Sequence, residues 1–359
     1  MKDIQVDLMG KSGAEGEFAA EIMGNGLNIN SKKPFIGGDG KVYVTAYKGG
    51  DKKDPKNYKA IQVNANGTLR RDEWKTLDAA ILGIAETRLN GIKDLESRGL
   101  VYNLGNGMAT TVLEHHTISD ALEAELSMDA VTKAKGGRQQ FGANYLPIPI
   151  IHADYEINER VLLNSRNLGN GLDTTLAERA GRKVAEKLEQ MLFTATSYSY
   201  GGGTIYSYLN FTSRNLATLG TAWDDSSVTG KMIVEQVLEW KQQLIGQKQY
   251  GPYVIYIPTA YETKLDEDYA DAKGDNTIRD RILKIENISD IKVIDTLPDD
   301  NVVMVRMNAE VVRLVKGMGI QNIQWKTEGG FVNKFKVMTI QVPQIRADYN
   351  GKSGILHIS

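Results

Sequence analysis

Few side chains in this sequence are spaced for chemistry. His115 and His116 follow Glu114, a trio of types that can hold a metal ion. Consecutive residues on a strand point to opposite faces, however, and the remaining histidines, His152 and His357, are remote in sequence, so solvated or interface histidines are expected. Asp266, Glu267 and Asp268 lie near Asp271 and Asp275, but they lack the spacing and the terminal glutamate of a calcium loop. Gly201, Gly202 and Gly203 are not followed by a Lys-Ser/Thr pair and open no helix, which makes them a turn rather than a phosphate cradle. Ser, His and Asp occur without a nucleophile-elbow signature. No catalytic, cofactor-binding or metal-binding residue is therefore assigned, and the chain is expected not to be an enzyme.

Composition narrows the class. The 359 residues are 41% hydrophobic and 25% charged, a globular balance with ample material for a core. Cysteine is absent, which excludes disulfides and thiolate metal sites and suits a reducing compartment. The apolar runs are too short to cross a bilayer and no leader pattern is visible at Met1, so a cytoplasmic, membrane-free protein is expected. A net charge of −2 gives no overall field for gripping nucleic acid. The charge is mildly uneven: residues 1–71 carry 12 Lys+Arg against 8 Asp+Glu, and the rest 31 against 37. A solvated, lysine-rich arm accounts for that.

The elements that would position these residues follow from hydrophobic period. Residues 1–71 read as a Gly-, Asn- and Lys-rich arm with a short amphipathic stretch at 15–23. Within it, a strand at 42–47 and a second at 60–63 form a hairpin, preceded by a turn at 37–40. From Asp72 a helix is expected, because Trp74, Leu77, Ile81, Ile84 and Ala85 recur at helical spacing up to Leu89, with Gly91 and Gly99 loosening the pattern. Residues 106–151 lack helix caps and read as a long protruding two-stranded hairpin with its tip at 135–138. Pro147 and Pro149 mark an edge or partner-facing strand.

The strongest local signal is a long helix over 175–195. Thr175 and Glu178 have capping-box spacing, and Leu176, Ala180, Val184, Leu188 and Leu192 form one apolar stripe. On the polar side Glu178, Arg182 and Glu186 stand one turn apart with alternating charge. Beyond Gly203 a mixed unit is expected, with a helix at 228–244, strands at 253–257, 291–294, 302–306 and 311–315, and short helices near Thr259 and Thr277. The end, from Phe335 to Val342, alternates like a strand. Trp74 and Trp240 belong to helix core faces.

An exposed hairpin is a hazard to a monomer, since unpaired edges and apolar faces recruit other chains. In a self-associating subunit it becomes the contact, laid across a neighbour and burying Ile148, Ile150 and Ile151, with Lys133, Lys135 and Arg138 near its tip. Such head-to-tail contacts close into rings when the rotation permits.

Three runs carry a family resemblance: Leu146-Pro-Ile-Pro-Ile-Ile-His-Ala-Asp-Tyr-Glu-Ile-Asn-Glu-Arg160, Gly169-Asn-Gly-Leu-Asp-Thr-Thr175, and Ala180-Gly-Arg-Lys-Val-Ala-Glu-Lys-Leu-Glu189. They resemble encapsulin-like major capsid proteins of tailed bacteriophages, which have the Hong Kong 97-type fold. Leu69-Arg-Arg-Asp-Glu-Trp74 and residues 89–105 look like the same family's entry into its shell-forming core. The resemblance covers the order of elements over 69–359 and is motif-specific over about 146–195.

It implies an α+β fold in six parts: an N-terminal arm (1–71), an entry helix (72–105), an extended hairpin or E-loop (106–151), a peripheral domain with its spine helix (152–222), an axial domain (223–310), and return strands of the peripheral domain (311–359). It implies a structural subunit that partners itself in hexamers and pentamers, builds an icosahedral head in the host cytoplasm and lies against packaged double-stranded DNA without specific binding. Scaffold, portal and decoration proteins are the further partners it suggests. Some such shells weld Lys to Asn between subunits with a nearby Glu as base; Lys133 or Lys135 and Asn350 are the positional candidates here. An encapsulin-type compartment is the second reading, less favoured by the seventy-residue preface. An intracellular α/β enzyme with a site that no motif marks is the third.

Overall fold

The computed structural model describes residues 35–39, 41–47, 58–62, 73, 75–81, 90–118, 141–167, 174–269, 276–327, 331–348 and 350–359. The amphipathic stretch at 15–23, the hairpin tip with Lys133, Lys135 and Arg138, and Trp74, Asp271 and Asp275 lie outside them.

Two sheets and one long helix organise the chain. A four-stranded sheet has the order β4-β14-β15-β7, from Val101–Asn103, Val312–Thr327, Val332–Ile345 and Ile151–Asn158. β14 and β15 form an antiparallel ribbon with two register shifts, between Lys316 and Met318 and between Met318 and Gln321. One face of this sheet packs on helix α3 (Thr175–Phe193), whose Ala177, Val184, Leu188 and Leu192 meet Tyr155, Ile157, Phe335 and Val337 in one core. Tyr155 and Phe335 stack at 4.9 Å between centroids. Helix α1 (Asn90–Ser97) and the helical residues 75–81 close that core with Ile92, Leu95, Leu77 and Ile81.

A five-stranded mixed sheet follows, in the order β10-β16-β13-β11-β12, from Asn215–Ala217, Ile355–Ile358, Val302–Arg306, Tyr253–Ile257 and Ile288–Val293. All five residues of β11 are buried, because both faces are covered. Val254 and Tyr256 face the first core. Tyr253, Ile255 and Ile257 face a second, built with helix α4 (Gly230–Gly246). There Trp223 stacks on Trp240 at 5.6 Å. The expected strands at 253–257 and 302–306 are found at those residues.

Several expectations need correction. The unit thought to span 223–310 also takes in β10, before it, and β16, from the far end of the chain; β16 sits between β10 and β13 instead of returning to the first sheet. The strand expected at 311–315 runs for 16 residues as β14, with its two register shifts around Gly317 and Gly319. Gly91 does not loosen the chain. It lies inside α1, where a side chain would meet the Phe193 ring at 2.5 Å, so its missing Cβ allows the two helices to approach.

In the arm, β1 (Phe35–Ile36), β2 (Val42–Tyr47) and β3 (Tyr58–Gln62) form a three-stranded antiparallel sheet. Phe35 packs against the first core, so this small sheet is anchored.

Candidate self-association surface

The described residues of the 106–151 segment form a paired stem. β5 (Val112–Ile118) and β6 (Phe141–Pro147) pair antiparallel, from Val112 opposite Pro147 to Ile118 opposite Phe141. Among the described residues they form a sheet of two strands. At their base, β8 (Tyr198–Tyr200) and β9 (Gly203–Ile205) make a second small hairpin that packs against β6. Gly201 and Gly202 have φ of +59° and +80°, which suits the tight turn between these strands. Gly203 has no room for a side chain, since a Cβ there would stand 2.1 Å from the carbonyl oxygen of Tyr145.

The contact residues expected in this region fall into two groups. Ile148 and Ile151 are buried in their own subunit, so neither is available to a neighbour. Ile148 joins Leu146, Ile205, Val315 and Val342 in a core beneath the hairpin base. Ile151 starts β7, opposite Thr339 of β15, and belongs to the sheet rather than the hairpin. The sequence signalled their apolar character but not the side from which it would be covered. Ile150, between them, is 44% exposed. Tyr145, Tyr198 and Tyr200 are also exposed around the base, and sequence reasoning had not singled them out. Large amphipathic rings left outside a core are the side chains that dominate protein contacts.

A second apolar patch lies at the far end of the four-stranded sheet. The backbone N–H of Glu159 donates to the carbonyl of Phe331 at 2.9 Å, which brings the start of helix α2 (Glu159–Asn167) beside the residue that precedes β15. Val161, Leu163 and Phe331 are all exposed there, Phe331 at 70%.

The spine helix begins one residue earlier in function than expected. Thr174, not Thr175, is the N-cap, and its hydroxyl donates to Oε1 of Glu178 at 2.7 Å instead of capping a backbone N–H. Thr175 is the first helical residue and is exposed. Arg182 is exposed, and Lys183 pairs with Glu186 at 2.7 Å.

A buried polar cluster ties this helix to the five-stranded sheet, and no motif had marked it. Asp94 is 2% exposed and accepts from Tyr256 at 2.8 Å, while pairing with Arg98 at 2.9 Å and Lys292 at 3.1 Å. Glu189, one turn before the end of α3, accepts from the Gly91 N–H at 2.9 Å. Burial raises its pKa to about 7 against the pull of those backbone N–H groups, with Asp295 adding a smaller push. Tyr208 and Tyr256 are fully buried, and burial drives both phenols well above their ordinary value. Neutral phenols beside two carboxylates make a structural brace with no exposed reactive atom.

The sequence candidates for metal chemistry stay apart. His115 and His116 alternate across β5, with His116 at 3.7 Å from Glu114 on the solvent side. Asp266 pairs with Arg279 at 3.0 Å and Glu267 with Lys264 at 2.8 Å. Among the described residues there is no group of three or more His, Cys, Asp or Glu that could hold a metal ion. Nor is any helix there long and apolar enough to cross a membrane.

A four-stranded sheet packed on helix α3, a second, mixed sheet of five strands and a two-stranded stem make up an α+β fold that solved structures share. The chain is similar to "virus-like particle from Pyrococcus furiosus" at 16% identity and a TM-score of 0.58, covering 80% of this chain and 99% of that one. It is similar to "the capsid of Myoviridae Phage XM1" at 9% identity and a TM-score of 0.57, covering 74% and 91%. The capsid of a native GTA particle matches at 12% identity and a TM-score of 0.52, covering 74% and 88%. The resemblance carried by residues 146–195 therefore extends to the fold. By sequence, the chain belongs to the family described as "Family of unknown function (DUF6260)", which matches residues 64–358.

Proposed function

We propose that this chain is the structural subunit of a closed protein shell, a major capsid protein that self-assembles through hexamers and pentamers around double-stranded DNA. The observation that carries the reading is the β5–β6 stem. A sheet of two strands is marginal in water by itself, and here it extends from a base ringed by exposed Tyr145, Ile150, Tyr198 and Tyr200. A neighbouring copy supplies the missing surface. In this reading the hairpin is the E-loop, the four-stranded sheet with α3 is the peripheral domain, and the five-stranded sheet with α4 is the axial domain. Chemistry is no part of the role, and the tyrosine and carboxylate cluster serves rigidity.

The test replaces residues 119–140 by a short Gly-rich turn, which leaves the stem paired and Leu146 in its core. Light scattering and electron microscopy of the full-length and shortened proteins then report assembly. Spherical or tubular particles from the full-length chain and a soluble, folded, unassembled shortened chain are expected. Normal particles from the shortened chain overturn the assignment.

A second reading, a virus-like compartment without packaged DNA, draws on the 99% coverage of the Pyrococcus furiosus particle chain. Nucleic acid in purified particles supports the first reading; a co-purifying protein cargo supports the second.

A further inference from the structure

Helix α3 buries Ala177, Val184 and Leu188 on one side, and on the other its solvent arc carries Arg179, Arg182, Lys183 and Lys187, all exposed. The acids beside that arc are partly buried and engaged. Glu178 accepts from the Thr174 hydroxyl at 2.7 Å, and Glu186 pairs with Lys183 at 2.7 Å. Among the described residues, Arg179, Arg182 and Lys187 make no ion pair. Cations are therefore the outermost groups on this face.

The opposite face of the same layer is arranged in reverse. Along β7 and β15, Tyr155, Phe335 and Val337 face α3, so Asp154, Glu156, Lys334 and Lys336 point away from it. There the acids are exposed and the lysines partly buried. Lys336 lies over the Trp325 ring, 5.7 Å from its centroid, and 3.5 Å from Asp154. The base of the β5–β6 stem is on this second face too, where Leu146 and Ile148 share a core with Met338 and Ile340. One side of the subunit thus carries the stem and outermost acids, and the other carries outermost cations. The net charge of −2 for the whole chain conceals that division.

What the basic side fits follows from charge density. Arg179 and Lys187 are eight residues apart, or about 12 Å along the helix. A nucleic-acid duplex carries one charge per ~1.7 Å, so about seven phosphates lie along that length. An extended polypeptide made of acids alone reaches only one charge per ~3.3 Å, about half the density. A convex helix face encloses nothing, so it holds a polymer by charge rather than a small anion by shape. The guanidinium fork matches phosphate oxygens.

We propose that the solvent face of α3 is the inner wall of the shell and lies against the phosphate backbone of packaged duplex DNA through Arg179, Arg182 and Lys187, without reading sequence. The inference rests on the shell reading and says which side of the subunit is the inside. Contacts of each copy are few, and the many copies lining one cavity add them together.

Binding of a short labelled duplex of mixed sequence to the unassembled full-length chain, followed by fluorescence anisotropy from about 20 mM salt upward, tests the face. The parent's affinity should fall about 40-fold when salt rises fourfold, the response of about three phosphate contacts. Arg179→Gln, Arg182→Gln and Lys187→Gln combined keep good helix formers on α3 and should weaken binding at least tenfold, with a nearly flat salt response. Lys231→Gln, Lys334→Gln and Lys336→Gln combined change the net charge equally, away from the arc, and should stay within twofold of the parent. Equal losses in the two variants overturn the proposal, because net charge alone then governs binding. So does a parent that binds no duplex at low salt, or poly-glutamate that displaces the duplex at equal charge concentration, which would make the face a seat for an acidic protein.

Electron microscopy of particles of the parent chain gives a measurement independent of the variants. Helix α3 facing the lumen is expected. With α3 on the outer surface the proposal fails and the shell reading stands, whereas a parent chain that forms no particles removes both.

Discussion

The hydroxyl of Tyr256 donates to Oδ2 of Asp94 across 2.8 Å, joining residues 162 positions apart. The other oxygen of Asp94 pairs with Arg98, just past the end of its own helix, and with Lys292 on β12. One buried carboxylate thus holds α1 to two strands of the five-stranded sheet.

Replacing Asp94 by Asn should cost about 2–4 kcal/mol, since it strips two cations of their counter-charge in a buried setting. Arg98 and Lys292 are about a quarter exposed and can turn to water, which keeps the loss below that of a sealed pair. A drop in the urea midpoint of the unassembled subunit, with unchanged slope, is the expected result. An unchanged midpoint would show the brace to be dispensable.

Glu189 gives the subunit a pH dependence of known sign. Its folded pKa of about 7 lies above the unfolded carboxyl value, so between pH ~4.5 and ~7 the folded chain binds the extra proton. Stability from this group is greatest below that window and is lost as pH rises through 7, by about 1–3 kcal/mol. Glu189→Gln should flatten this part of the stability profile. The comparison is of unfolding midpoints at pH 5 and pH 8, and an equal slope in parent and variant would contradict it.

Gly91 and Gly246 make a matched pair for testing the helix approach. A methyl at Gly91 would stand 2.5 Å from the Phe193 ring, which itself packs edge-on against Tyr208 and Tyr256. Overpacking of this kind costs about 1–3 kcal/mol. At Gly246, the last residue of α4, a Cβ meets nothing within 4 Å, and Ala should be neutral or stabilising by about 0.4–1 kcal/mol. Thermal melting of the two alanine variants should therefore move in opposite directions or diverge by several degrees.

Gly203→Ala should loosen the hairpin base without unfolding the chain. The new methyl is driven into the Tyr145 carbonyl, so β9 must leave β6. Amide exchange in β5 and β6 should speed up at least tenfold, while amides of β11, buried on both sides, keep their protection. Equal acceleration in both places would mean a global loss of stability instead.

The self-contained local signals were readable in advance. Short apolar runs marked the strands at 253–257 and 302–306, and a 3.6-residue stripe marked helix α3, because each pattern is set by the residue's immediate neighbours. The glycine run at 201–203 was read as a turn, which the positive φ values of Gly201 and Gly202 explain. Motif runs over 146–195 pointed to the fold of shell proteins. The same runs misjudged Ile148 and Ile151, since apolar character alone does not say whether the cover comes from the same chain or another.

Residue order alone revealed many of the strands and helices, excluded thiol chemistry and indicated the class of fold. Only folding in three dimensions settled that the last strand crosses to the second sheet, that Asp94 and Glu189 are buried, and that residues 115, 344 and 346 line one groove. The reason is physical: local period fixes which face of an element is apolar, whereas the partner of that face, and the fate of each polar group beneath it, depends on contacts hundreds of residues apart.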